Sequence, residues 1–211
     1  MVANRQTYIF IDASNLFYGG EKSLGWSIDY KKLYKYLRQK YEAKRIYYFG
    51  GVEVHDFPFD YLLNDTVPLK ELKNHLLHNV IEKDEKLNEA DLALISRHLD
   101  IINFYLKLES FGYQLVLKPV KNYMQDDGNI KRKANCDVDM AFFMMKYMTG
   151  YDRAVVLSGD GDFLPLLKHL KSVGKEVIVL ARGKRTAREI KIFTGSNFRD
   201  FVRLEKHIRY K

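Results

Sequence analysis

Five aspartates, Asp12, Asp137, Asp139, Asp160 and Asp162, lie at predicted junctions, the first and the last two beyond strands and the middle two at the start of a helix. Carboxylates drawn together repel one another unless protons or a cation compensate them. A hard divalent cation, Mg2+ or Mn2+, suits an all-oxygen ligand set. Asp12, Asp137 and Asp160 are expected nearest to such an ion. Asp139 and Asp162 are candidates for a second position, a water-held contact or electrostatic support. Each also has a plainer role when read singly: Asp12 and Asn15 can stabilise a turn, Asp137 can cap the helix it begins, and Asp139 can sit at that helix's positive end.

Other chemistries are poorly provided for. Cys136 is the single cysteine, so an internal disulfide and a cysteine-based zinc site are excluded. The six histidines include no His-x-x-x-His pair, so a histidine metal cage is not expected. Ser158-Gly159-Asp160-Gly161-Asp162-Phe163 lacks the downstream oxygen ligands and terminal glutamate of an EF-hand loop. No glycine-rich loop ends in Gly-Lys-Ser or Gly-Lys-Thr, and no dinucleotide fingerprint follows the first apolar run.

The aspartates need elements to position them, and the chain supplies a strand and helix alternation. Residues 8–11 read as a buried strand ending at Asp12, and 29–41 as a surface helix with apolar residues at helical spacing. A second strand covers 45–49 and is expected to end at Gly50-Gly51. Helices are predicted over 69–81 and 90–111, the latter ended by Gly112, with a strand over 113–117. Asp126-Asp127-Gly128-Asn129 resembles the tip of a turn or hairpin. A helix over 137–148 carries the apolar face Met140, Ala141, Met144, Met145 and Met148. Then come a strand at 154–157, the polar exit at 158–162, a helix at 163–170, a strand at 176–180, a helix at 187–193 and an edge strand at 201–204. Strands separated by helices predict an α/β fold with a mostly parallel sheet covered on both faces. The 211 residues are expected to form one domain, with a helical elaboration around 52–111.

Three segments, in this order, carry a family resemblance: Ile9-Phe10-Ile11-Asp12-Ala13-Ser14-Asn15, Lys133-Ala134-Asn135-Cys136-Asp137-Val138-Asp139, and Val155-Val156-Leu157-Ser158-Gly159-Asp160-Gly161-Asp162-Phe163. The chain resembles the LabA-like, NYN-domain branch of the PIN-like nucleases, and the likeness extends through Pro165-Leu166 and Gly174-Lys175-Glu176-Val177. It implies a PIN-like three-layer sandwich and a metal-dependent ribonuclease site. Asp12, Asp137, Asp160 and Asp162 would be catalytic, with Asn15 and Ser158 orienting. The family's usual lysine-glycine-hydrophobic-aspartate spacing is altered here to Lys133-Ala134-Asn135-Cys136-Asp137, which keeps the carboxylate and leaves Lys133 without an assigned role in the chemistry.

A formal charge of +8 favours an anionic partner. Lys118, Lys121, Lys131, Arg132 and Lys133 form one basic run, and Arg182, Lys184, Arg185 and Arg188 another. Single-stranded RNA is the expected substrate, contacted by Lys131, Arg132, Lys133, Arg182, Lys184 and Arg185. Two alternatives stand beside it: an RNA-binding module without catalysis, and a metal phosphohydrolase of small substrates. No apolar run approaches the length of about 18 residues that a membrane span needs, so the expectation is a soluble, cytoplasmic protein without a membrane partner. A homodimer joined through an exposed methionine or aromatic surface is left open.

Overall fold

The computed structural model describes residues 5–17, 22–60, 62–82, 88–124 and 130–210, with the backbone alone at 79–82, 122–123 and 130–133. Its strands are β1 (Thr7–Asp12), β2 (Ala43–Val52), β3 (Gln114–Pro119), β4 (Lys121–Met124), β5 (Ile130–Lys133), β6 (Arg153–Leu157), β7 (Glu176–Ala181) and β8 (Phe198–Asp200). The helices are α1 (Lys22–Leu24), α2 (Tyr30–Tyr41), α3 (Leu69–Glu82), α4 (Glu89–Phe111), α5 (Asp137–Lys146), α6 (Leu164–Ser172), α7 (Arg188–Thr194) and α8 (Glu205–Ile208). Among the described residues, no helix is long and apolar enough to cross a membrane.

A six-stranded sheet takes the order β3-β2-β1-β6-β7-β8. β1 runs parallel to both β2 and β6, and β6, β7 and β8 continue in parallel. The apolar runs explain this choice. All six residues of β1 are buried, as are the last four of β6 and the last five of β7, which suits strands covered on both faces. The expected α/β class with a mostly parallel sheet is therefore borne out.

Successive strand residues point to opposite faces, so Tyr8 and Phe10 share one face with Tyr47 and Phe49 of the neighbouring strand. That face packs under α5: Phe10 stacks on Tyr47 at 5.6 Å, and Phe143 meets Tyr47 at 5.6 Å and Phe49 at 5.5 Å. Tyr48 points the other way, toward Tyr30 of α2 at 6.3 Å and Tyr113 at 6.0 Å. Helices thus cover both faces, giving the three layers expected. α2 starts where Asp29 accepts a hydrogen bond from the Lys32 N–H (2.9 Å) and ends at Glu42 in the left-handed region. Gly112 ends α4 at φ +106°, a backbone that L residues rarely adopt, and a Cβ there would strike the Tyr34 hydroxyl.

The chain divides into two compact units: Met1–Phe49 with Phe111–Gln114 and Cys136–Lys211, and Gly50–Ser110 with Leu115–Asn135. In the second, β4 and β5 pair antiparallel, with Lys121 opposite Lys133. This is the hairpin whose predicted tip, 126–129, lies outside the described residues. The Tyr105 hydroxyl donates to the Gly51 carbonyl at 2.8 Å, and the His55 and His98 rings meet nitrogen to nitrogen at 2.5 Å, joining the segment after β2 to α4.

Three local expectations need correction. β2 does not stop before Gly50-Gly51 but runs on to Val52. Gly51 serves close packing there, since a Cβ at that position would lie 2.5 Å from the Ala134 Cβ. Residues 201–204 form a 3-10 helix, and the edge strand lies one segment earlier, at β8. The Asp200 carboxylate causes the turn by accepting from the Val202 N–H at 3.1 Å, and Phe201 and Leu204, three residues apart, share the buried side. In α5 the buried face is Met140, Phe143 and Met144, whereas Met145 is exposed and Met148 lies in a following 3-10 turn.

Candidate functional site

From β1 the chain proceeds through β2 and β3 on one side of the sheet, and through β6, β7 and β8 on the other. The order therefore reverses between β1 and β6. Open α/β sheets bind ligands outside the carboxyl ends of the strands at such a reversal. Asp12 ends β1, and Ile11 pairs with Leu157, so Asp12 and Ser158 emerge side by side.

A chain of hydrogen bonds fixes this edge. One Asp12 oxygen accepts from the Asn15 backbone N–H at 3.0 Å, and the other from the Ser158 hydroxyl at 3.1 Å. The Asn15 side-chain oxygen accepts from the Gly159 N–H at 3.0 Å, which ties the exit of β1 to the exit of β6. The Asp160 N–H donates to the Ser158 Oγ at 3.3 Å, and the Asp160 carboxylate in turn accepts from the Asp162 N–H at 3.0 Å. Asn15 and Ser158 thus occupy positions where they orient carboxylates and loop backbone.

Asp12 is only 8% exposed. Burial, with the neighbouring Asp137 charge adding to it, pushes its carboxyl from the ordinary 3.8 up to about 6, against the lowering effect of the hydrogen bonds from Asn15, Ser158 and Ser14. The position of Asp137 follows from strand phase. Asp12 shares its face with Tyr8 and Phe10, the face that α5 covers, and Asp137 is the first residue of α5. Asp139 is half-buried in the same first turn, and Asp162 is exposed.

The donors fit a hard divalent cation in chemistry, being oxygens throughout. A cation would also offset the two influences that raise the Asp12 carboxyl, its desolvation and the charge of Asp137. Among the described residues, no three His, Cys, Asp or Glu side chains converge into one metal-holding group. The arrangement is an Asp12–Asp137 pair, with Asp160 linked to Asp12 through Ser158.

Two neighbours of this edge escape sequence reasoning. A Cβ on Gly159 would lie 2.7 Å from the Thr186 Oγ1 and 3.0 Å from its Cα, and a Cβ on Gly161 would strike the Glu189 carboxylate. The Ala187 N–H donates to the Gly159 carbonyl at 2.9 Å. The segment after β7 therefore walls the aspartate loop. The two glycines were the signal, because glycine marks close approach as well as unusual turns. Of the expected basic contacts, Lys184 and Arg185 are exposed. Arg182 is turned inward, its guanidinium on the Ser23 hydroxyl (3.2 Å) and the Asp200 carboxylate (3.5 Å). Lys131, Arg132 and Lys133 lie in β5, and their side chains are outside the description.

Comparison with known proteins places the chain in a family. The model of the NYN domain matches residues 6–105 and 75–200. The chain is 25% identical over 188 residues to the low amplitude and bright protein LabA of Synechococcus elongatus, covering 87% of this chain and 77% of that protein. In structure it is similar to a protein of unknown function from Vibrio parahaemolyticus, with a TM-score of 0.58, 18% identity and coverage of 95% and 96% of the two chains. A weaker likeness, with a TM-score of 0.45, 16% identity and coverage of 89% and 59%, is to the T5 D15 protein co-crystallized with metal ions. With a domain match that spans residues 6–200, this chain belongs to the NYN-domain family.

Proposed function

We propose that this protein is a divalent-metal-dependent ribonuclease that hydrolyses phosphodiester bonds in single-stranded RNA. The observation that carries the reading is the buried Asp12 carboxylate, fixed by Ser158 and Asn15 at the reversal of the sheet and loaded with the charge of Asp137. Family membership and the nuclease-type resemblance of the three aspartate segments support the step from a metal crevice to phosphodiester chemistry.

Asp12 and Asp137, the pair whose charges meet, would hold Mg2+ or Mn2+, with Asp160 joined to them through Ser158, and the ion would supply positive charge to phosphate oxygens as they become more negative. The remaining work belongs to the chain. Ser158 and the Asn15 N–H hold both oxygens of Asp12 in place, so little reorganisation is needed when a phosphate arrives. Asn15 also fixes Gly159, and with it the backbone that presents Asp160. Asp162 is the exposed carboxylate of the loop and is assigned to orienting the attacking water. Asp139, in the same first turn of α5 as Asp137, is assigned electrostatic support.

The test is incubation of the purified protein with end-labelled single-stranded RNA in Mg2+ or Mn2+, in parallel with chelator and with Asp160→Asn. Cleavage that needs the metal and disappears in the variant is the expected result. Equal cleavage by variant and parent would reject the site. RNA binding without turnover would make the protein a recognition module, and consumption of small phosphate compounds without regard to RNA length would make it a phosphohydrolase.

A further inference from the structure

The 182–187 segment, between β7 and α7, is more than a wall. It is folded by its own bonds: the Arg185 N–H donates to the Arg182 carbonyl at 2.9 Å, the Thr186 hydroxyl to the same carbonyl at 2.8 Å, and the Lys191 ammonium to the Gly183 carbonyl at 3.1 Å. Arg182 anchors its base through Ser23 and Asp200, with a side chain only 13% exposed. Its far end is pinned on the aspartate loop by the Ala187 to Gly159 hydrogen bond and by the buried Thr186 against Gly159.

This anchoring leaves the tip as the chemically open part. Lys184 and Arg185 are exposed, and among the described residues neither side chain has an ion-pair or hydrogen-bond partner; Arg188, at the start of α7, is exposed as well. Consecutive Cα atoms are 3.8 Å apart, so the Arg185 Cα lies within about 8 Å of the Gly159 Cα through Thr186. A cation on a long side chain at that distance, mounted on a rigid turn, can meet a phosphate next to the one held at the aspartates. A floppy loop would instead have to be ordered at a cost in affinity.

We infer that the 182–187 loop is a phosphate-binding arm for single-stranded RNA, with Lys184 and Arg185 as the contacting cations and Arg182 as the residue that positions them. The inference rests on the RNA reading above, but concerns binding and not hydrolysis. It divides the basic run 182–188 by role: the most buried cation is structural, and the exposed ones touch substrate.

The experiment measures fluorescence anisotropy of a labelled single-stranded RNA with the full chain, in chelator so that no cleavage intervenes, over a series of salt concentrations. Lys184→Ala/Arg185→Ala is expected to bind at least about tenfold more weakly at low salt, and its slope of log affinity against log salt should fall by roughly 1.4, at about 0.7 per lost phosphate contact on a single strand. DNA of the same sequence should lose affinity in the same proportion, because the contacts are to phosphate. The control is Lys40→Ala/Lys44→Ala, which removes equal charge from the last turn of α2 and the start of β2, the end of the sheet away from Asp12. Parental affinity in the loop variant, an equal loss in the control, or a loss confined to RNA would each overturn the assignment. If the parent binds through this loop yet never cleaves, the arm stands and the nuclease reading falls.

Discussion

Along a single face of β1, Tyr8 and Phe10 enter an aromatic layer under α5, and two residues further Asp12 occupies the same face at the strand's end. Backbone geometry and burial are alike at the three positions. Their chemistry is opposed. The rings gain from burial, while the carboxylate is penalised by it and by the charge of Asp137. The difference teaches that the aromatic layer supplies stability which the carboxyl edge reduces.

The largest break in this comparison should come from Phe10→Ala. Phe10 is fully buried, and truncation of such a ring costs about 3–5 kcal/mol. Denaturant unfolding should show the loss, whereas any activity should fall only with the folded fraction. Asp12→Asn should act in the opposite direction. The carboxyl titrates near 6 when folded and near 3.8 when unfolded, so its favourable contribution is complete below about pH 3.8 and is lost as pH rises through about 6. At pH 7.5 the neutral amide should therefore be more stable than the parent by up to about 3 kcal/mol. Below pH 4 that gain should vanish. Mn2+ should raise the melting temperature of the parent more than that of the variant, and an equal rise in both would detach the metal from Asp12.

Gly159→Ala probes the wall of the site. Its Cβ would meet Thr186 at 2.7–3.1 Å, and overpacking of this kind costs about 1–3 kcal/mol. Differential scanning calorimetry should register it, and the hydrogen bond from Ala187 to Gly159 should show faster amide exchange. The smallest effect belongs to Ser158→Ala. Its two hydrogen bonds, to the Asp12 carboxylate and from the Asp160 N–H, are lost together, which changes stability by about 1–2 kcal/mol. The Asp12 carboxyl should titrate higher still, because the Ser158 bond lowers it, and carbon NMR of that carboxyl gives the direct reading.

Much of this edge was legible in the chain itself. The apolar runs of β1, β6 and β7 gave strand positions because parallel strands buried on both faces must be apolar throughout. Asp12 at the end of β1 and Asp160 just beyond β6 followed. Gly112 was readable as a stop because its backbone demands glycine. Gly51 was misread for the converse reason: glycine also permits close packing, and the sequence does not say which use applies. Residues 201–204 look like a strand by composition, but the Asp200 carboxylate bonds the backbone ahead of it and turns the chain into a 3-10 helix.

The sequence by itself determined the α/β alternation, the phase that sets Asp12 on the same face as Tyr8 and Phe10, and the order of the acidic positions. These depend on neighbours a few residues apart. Only the tertiary structure decided that β1 and β6 adjoin at the reversal of the sheet, that Asn15 bonds Gly159 across 144 residues of chain, and that Arg182 turns inward while Lys184 and Arg185 face solvent. The physical reason is that strand order and loop approach depend on packing between segments distant in sequence, which local periodicity does not encode.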